Sequence, residues 1–181
     1  MSLPQAQPRK LVHSRDIECR GYQRDDGLWD IEGYLRDTKT GTFGNDLRTV
    51  AAGEPIHEMR VRLTVSEDMV IRDAAASTTH GPYPACVDAN GRFGELKGLR
   101  IASGWMAEVK RRLGGGLGCT HVRELLGPVA TTALQAVAAA RTDRLTALRP
   151  DGVPKKIDSC FAYAADGDLV KRRWPEHHRS G

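Results

Sequence analysis

Residues 56–65 read IHEMRVRLTV, and from Glu58 onward apolar and polar residues alternate without a break. Met59, Val61, Leu63 and Val65 fall on one side of an extended chain, and Glu58, Arg60, Arg62 and Thr64 on the other, because successive side chains of a strand point to opposite faces. One face therefore wants a core and the other wants water. A single strand cannot satisfy that demand, so the segment requires a sheet with a second layer packed on one side only. Ser66-Glu67-Asp68 supplies a turn, and residues 69–77 return as the second arm of a hairpin. The same period of two puts His57 on the apolar side, at the end of its strand.

An earlier hairpin is predicted around Asp25-Asp26-Gly27, a turn signal. In its second arm Trp29, Ile31 and Leu35 share one face, and Asp30, Glu32, Tyr34 and Arg36 the other. Asp30 and Glu32 lie close enough for acid–base work, but Arg24 and Arg36 crowd them, so surface ion pairs explain them better. Residues 38–54 and the stretch from Thr78 through TTHGPYPACVDA have loop composition. Helical patterning dominates afterwards. A short helix is expected within ACVDANGRFGELKG, broken at Asn90-Gly91. Another is expected in SGWMAEVKRRLGG, capped by Ser103 and stopped at Gly114 or Gly115. A long helix starts at Cys119 with the stripe Val122, Leu125, Leu126, Val129 and Ala133, is interrupted at Gly127-Pro128, and runs to about Leu148. A final strand pair is expected around Asp166-Gly167, with Cys160 and Trp174 packed inside. Strands first and helices later predict an α+β fold: an antiparallel sheet of two or more hairpins on a long helix of the C-terminal half and shorter helices. The expected organisation is a loose arm over residues 1–12, a single domain over 13–178 and a frayed tail over 179–181.

The chain of 181 residues is 40% apolar and 28% charged, with a formal charge of +4. Its basic residues are interleaved with acidic ones, so nucleic acid is not an expected partner. No run approaches the roughly 20 apolar residues of a membrane span, and the N-terminal stretch has no apolar signal-peptide core. These features predict a cytoplasmic protein with no membrane association. The four cysteines, Cys19, Cys86, Cys119 and Cys160, follow no disulfide or zinc-finger spacing and are expected as thiols.

The stretch GGGLGCTHVRELL carries most of the chemistry. Glycines run into Cys119, and His121 follows two positions later. Unpaired N–H groups at a helix start make a thiol a better nucleophile. Two residues apart on a helix cannot share a face, so the two side chains converge only if Cys119 lies just outside it. The glycine run lacks the Lys-Ser/Thr of a P-loop, yet Gly115, Gly116, Gly118 and Thr120 could hold a small anion at the helix start. His57, His80, Cys86, Cys119 and His121 together offer the nitrogen and sulfur donors that zinc prefers. Three readings stay open. The first is a metal-binding protein holding zinc or iron in an accessory or catalytic role. The second is a metal-free thiol enzyme with Cys119 as nucleophile and His121 or His80 as base. The third is a noncatalytic module whose partner is a small anionic ligand or another protein. A homo-oligomer is compatible with each.

The motifs GYQRDDGLWDIEGYLRDTK, AGEPIHEMRVRLTV, LGGGLGCTHVRELL and DSCFAYAADGDLVKRRWPE resemble those of a bacterial family known as domain of unknown function 2889, over roughly residues 10–176. That resemblance implies a fold unit and no activity. Over about residues 55–140, the order of two strands, a cysteine loop, a helix with FGELKG and a Cys/His pair opening a long helix is similar to iron–sulfur assembly scaffolds of the NifU N-terminal type. That likeness implies convergence of His57, Cys86, Cys119 and His121 on a metal. The histidine in the first position, the Cys-Thr-His order and the HGPYPAC loop depart from the scaffold pattern and point to a fixed metal or none.

Overall fold

The computed structural model describes residues 3–138, 140 and 147–180. It is α+β. Strands β1 (His13–Gln23), β2 (Trp29–Lys39), β5 (Pro55–Val65) and β6 (Ile71–His80) form an antiparallel meander in the order β1-β2-β5-β6. Between β2 and β5 a small separate hairpin pairs β3 (Phe43–Gly44) with β4 (Thr49–Val50), inside the stretch expected to be loop. β6 also runs on through Thr78 and Thr79 to His80, where a loop was expected; pairing with β5 continues to Glu58 opposite His80.

The expected alternation sets the layers. Trp29, Ile31, Leu35, Met59, Val61, Leu63 and Val65 are buried, whereas Glu32, Arg60 and Arg62 are exposed. Helices cover the apolar face: α1 (Trp105–Leu113), α2 (Thr120–Glu124) and α3 (Leu126–Ala138). Val109, Leu113, Val122, Leu125, Leu126 and Val129 join the strand residues in one core. α3 crosses the sheet where glycines let it approach. A Cβ on Gly33 would stand 2.6 Å from Val129 Cγ2, and one on Gly21 would stand 2.7 Å from Ala136 Cβ. Both distances are shorter than packed carbons tolerate.

The helices depart from expectation in informative ways. Residues Asp88–Leu96 form a 3-10 helix that runs through Asn90-Gly91 without a break. α1 is capped by Gly104 at φ 85°, a left-handed conformation that Ser103 would adopt less readily. Gly114 does end α1. The long helix divides at Leu125, before Gly127-Pro128. Pro128 has no N–H for the Glu124 carbonyl, and the ladder resumes with Val129 N–H donating to Leu125 O at 3.0 Å. The expected run to Leu148 passes through residues 139 and 141–146, which lie outside the described residues.

The chain divides into two compact units, one ending at Val137 and one beginning at Ala138. The second has its own small core of Ile157, Ala165 and Val170, with Trp174 against it. Asp166-Gly167 does not turn a strand pair; Gly167 is the N-cap of α4 (Asp168–Arg173). Asp168 in the first turn and Lys171, Arg172 and Arg173 in the last suit the helix dipole, which outweighs the turn propensity of the dipeptide. Cys160 is exposed and does not pack inside.

Candidate functional site

Three strands place one residue each in a lateral row. Arg15 on β1 lies opposite Asp37 on β2, and Asp37 lies opposite His57 on β5. All three continue the helix-facing parity of their strands. The row sits where the sheet is irregular: the β2–β5 register shifts after Asp37, and the β5–β6 register shifts after Glu58. Bulges of this kind re-aim side chains and are common beside functional sites.

Asp37 is the centre. Its carboxylate is 1% exposed and takes two parallel bonds from Arg15, Nε to Oδ1 at 2.7 Å and a terminal nitrogen to Oδ2 at 2.7 Å. His57 Nδ1 lies 2.9 Å from Oδ2, and His13 Nε2 lies 3.5 Å from Oδ1. Arg15 also reaches Glu124 on α2 at 2.8 Å. Burial alone would push the Asp37 carboxyl up. The Arg15 hydrogen bonds and charge, with His57, outweigh it and hold the carboxyl below its ordinary range. In return, the hydrogen bond to Asp37 raises the Arg15 guanidinium against the opposing effect of burial.

His57 is the residue with a function left over. An ionised Asp37 can only accept, so His57 Nδ1 carries the proton and Nε2 presents a lone pair. Nε2 is buried and has no hydrogen-bond partner among the described residues. Burial, followed by the charge of His121, lowers the His57 pKa, and Asp37 only partly restores it. The imidazole is therefore neutral near pH 7, the form that binds metals or accepts protons.

The helix layer closes the site. His121 on α2 stacks on His57 with ring centroids 3.7 Å apart and planes at 28°. Cys119, the N-cap of α2, lies outside the helix in extended conformation, and its Sγ is 3.9 Å from His121 Nδ1. That loop-to-helix step lets two side chains at i and i+2 meet. Cys119 also borders a cavity of about 520 Å³ that it shares with Cys86, Tyr83, Arg92, Gly116 and Gly118.

Among the described residues, the one group of three His, Cys, Asp or Glu whose ligand atoms all lie within 4.8 Å of one another is Asp37, His57 and His121. The other expected residues are placed as follows. His80, at the end of β6, binds Glu58 Oε2 through Nδ1 at 2.8 Å. Cys86, in a 3-10 turn, packs against Gly81, where an added Cβ would stand 3.3 Å from its sulfur. Gly115–Leu117 is a 3-10 turn, with Gly115 at φ 57°. An added Cβ on Gly114 would collide with the Lys110 carbonyl, and one on Gly118 would lie 2.8 Å from the Leu113 carbonyl. Close packing against the end of α1 thus accounts for Gly114 and Gly118. Thr120 is the first residue of α2 and is exposed. Asp30 accepts from Thr64 at 2.6 Å, an inter-strand tie.

Asp37 and Arg15 are absent from the expected site set. A signal for Asp37 does exist: the series Trp29, Ile31, Gly33, Leu35, Asp37 puts a carboxylate on the apolar parity of its strand. No described helix is long and apolar enough to cross a membrane. A family model described as protein of unknown function (DUF2889) matches residues 13–135, which hold the whole row, α2 and the cavity. No curated protein and no solved structure matches the chain.

Proposed function

The chain belongs to the DUF2889 family, and from that premise we propose that it is a metal-binding protein whose ion, zinc or iron(II), is held by His57 Nε2, His121 Nδ1 and Cys119 Sγ. Asp37 acts as the outer carboxylate that orients His57. The observation that carries this reading is the buried, partnerless His57 Nε2, whose lone pair is fixed by the Asp37 bond at 2.9 Å. Metal-bound histidines typically give their second N–H to such a carboxylate. Asp37 itself is a poor ligand here: Arg15 and His57 already take three of its four lone-pair sites, and His13 stands 3.5 Å from Oδ1.

Cys119, which stands outside the Asp37–His57–His121 group, is the third ligand of this reading and has to close toward His57 when the ion loads. On a tetrahedral zinc, a nitrogen and a sulfur ligand stand about 3.6 Å apart, given Zn–N near 2.0 Å and Zn–S near 2.3 Å. The Cys119–His121 separation of 3.9 Å is close to that edge. The histidine stack is tighter than a loaded site allows. Two imidazoles on one tetrahedral ion hold their centroids about 5 Å apart, against 3.7 Å here. Loading therefore swings His121 off His57, a small movement for a five-residue helix that follows a glycine-rich turn. Three protein ligands leave a fourth position for water or substrate, the arrangement of catalytic zinc.

Cobalt(II) titration of the metal-free protein tests the assignment. Wild type should give an intense thiolate-to-cobalt band. Cys119→Ser should lose that band, and His57→Ala or His121→Ala should weaken binding about 100-fold or more. The baseline carries His177→Ala and His178→Ala, because two adjacent terminal histidines can bind metal on their own. Unchanged binding in His57→Ala would end the proposal. The Cys119–His121 contact beside a cavity favours a second reading, a metal-free thiol enzyme with Cys119 as nucleophile and His121 as base. Iodoacetamide labelling separates the two. A metal ligand is protected until a chelator is added, whereas a free nucleophile labels at once in both conditions.

A further inference from the structure

The two outer edges of the sheet are finished differently. Along β6, residues 98–101 dock onto the free backbone: Gly98 N–H donates to Ile71 O at 2.8 Å, and Ile71 N–H donates to Leu99 O at 2.8 Å. Further along, Thr78 bonds Asn90 across to the 3-10 segment at 3.0 Å. β1 has no such cover. It pairs with β2 in continuous register from His13 to Gln23, and among the described residues no strand pairs with its other side. Edge strands are normally shortened, bulged, or guarded by proline or by charges, lysine above all, and the charges of β1 are two acidic and two basic residues that can pair across a two-fold axis. β1 is eleven residues long, has no bulge against β2 and contains no lysine or proline. Ile17 and Tyr22 are each 44% exposed along it.

We propose that β1 is a dimerisation edge whose occupant is β1 of a second copy, running antiparallel about a two-fold axis at Cys19. Charge and overlap together select the register, since an axis at Gly21 also opposes no like charges but pairs only residues 19–23 of β1. A continuous sheet with both helix layers on one side needs residues of equal parity opposite one another, so the axis must pass through a residue. An axis at Asp16, Glu18 or Arg20 sets that charge against itself. An axis at Ile17 sets Asp16 against Glu18. An axis at Cys19 sets Glu18 against Arg20 twice, pairs Asp16 with Tyr22 and Arg15 with Gln23, and opposes no like charges. Like charges directly opposite are destabilising, and opposite charges are favourable. The same register lays each Ile17 over Gly21 of the other copy, which has no side chain to obstruct it. Two such edges would join into one eight-stranded sheet and remove the exposed backbone groups of both.

The axis brings the two Cys19 residues opposite each other. Directly opposed residues in an antiparallel pair have Cα atoms about 4.5 or 5.5 Å apart, inside the disulfide range of roughly 4.4–6.8 Å. The experiment uses full-length protein. Light scattering on a sizing column at about 100 μM should give twice the 19.8 kDa chain mass. A variant keeping only Cys19 should form a covalent dimer with diamide, and one keeping only the exposed Cys160 should not. Glu18→Arg should raise the dimer dissociation constant about tenfold or more, and adding Arg20→Glu should restore it. A monomer at every concentration, a cross-link through Cys160 alone, or a Glu18→Arg dimer of unchanged affinity overturns the proposal. None of these readouts depends on metal, so the dimer and the metal site stand or fall separately.

Discussion

Two carboxylate–histidine pairs lie back to back on the same sheet. On the helix-facing side His57 Nδ1 meets Asp37 at 2.9 Å; on the solvent side His80 Nδ1 meets Glu58 at 2.8 Å. His57 and Glu58 are neighbours on β5, so period two alone sends them to opposite faces. The bond lengths are nearly equal and the surroundings are not. The side chains of Asp37 and His57 are 1% and 12% exposed; those of Glu58 and His80 are 19% and 39% exposed. Water can serve the second nitrogen of His80. His57 Nε2 is buried and has no hydrogen-bond partner among the described residues. A shared motif therefore gives one surface ion pair and one site with unspent binding capacity. Burial, not the hydrogen bond, makes the difference.

The largest test of that contrast is removal of each carboxylate. Asp37→Ala strands the Arg15 guanidinium and His57 in a site built around a negative charge. Arg15 is a third exposed and keeps Glu124, so the loss comes mainly from its bonds to the carboxylate and from the largely buried His57, about 2 kcal/mol. Glu58→Ala should cost under about 1 kcal/mol, as exposed pairs do. Urea unfolding of both variants checks this. Equal losses would mean that the two faces are not different environments.

Metal affinity should separate the histidines next. His57→Ala should weaken zinc or cobalt binding about 100-fold, the scale of losing a ligand or its orientation. His80→Ala should leave it within about threefold. Competition with a chromophoric chelator measures both, and a large His80 effect would move the site to the outer face.

Acid sensitivity of the metal-free protein comes third. His57 is held below its ordinary pKa of about 6.5, with burial the main cause. The unfolded chain thus takes up a proton near that pH while the folded chain resists. Stability contributed by the neutral ring is complete above about pH 6.5 and is lost as pH falls toward the lower folded value. Asp37, also lowered, adds a second loss at more acid pH. His57→Gln should remove the upper part of the decline. Stability measured across pH 4–8 would show it, and an unchanged slope in His57→Gln would count against the buried neutral ring.

How much of this was legible follows from what alternation can and cannot say. The face of Met59, Val61, Leu63 and Val65 and the direction of His57 follow from period two in a strand that is apolar on one side. Asp37 obeys the same rule, but a carboxylate next to a Thr-Lys-Thr-Gly stretch reads as the start of a loop. Its meaning appears only when Arg15, twenty-two residues earlier, is set opposite it by the hairpin register. The Cys119–His121 convergence was conditional on Cys119 lying outside the helix, and local spacing could state that condition. The stacking of His121 on His57 could not be read at all, because it depends on where α2 lands on the sheet. Gly33 and Gly21 carry no local signal either; their role is set by α3 crossing above them.

The smallest expected effect concerns Tyr34, whose hydroxyl donates to Glu58 Oε1 at 2.7 Å on the outer face. That bond is the main cause holding the Glu58 carboxyl below its ordinary range, with burial opposing it and His80 helping. Tyr34→Phe deletes the donor and keeps the ring. The guanidinium of Arg60, 4.5 Å above that ring, retains its cation–π contact, since phenylalanine offers a similar face. Water replaces the lost hydroxyl on an accessible carboxylate. The stability change should then be about 0.5 kcal/mol, the low end of a hydrogen bond's net value and below the Glu58→Ala loss, and NMR titration should show the Glu58 carboxyl moving upward. A loss well above that value would mean that Glu58 is cut off from water in solution. The outer pair would then be covered as the inner one is, and the contrast between the two faces would fail where it is cheapest to measure.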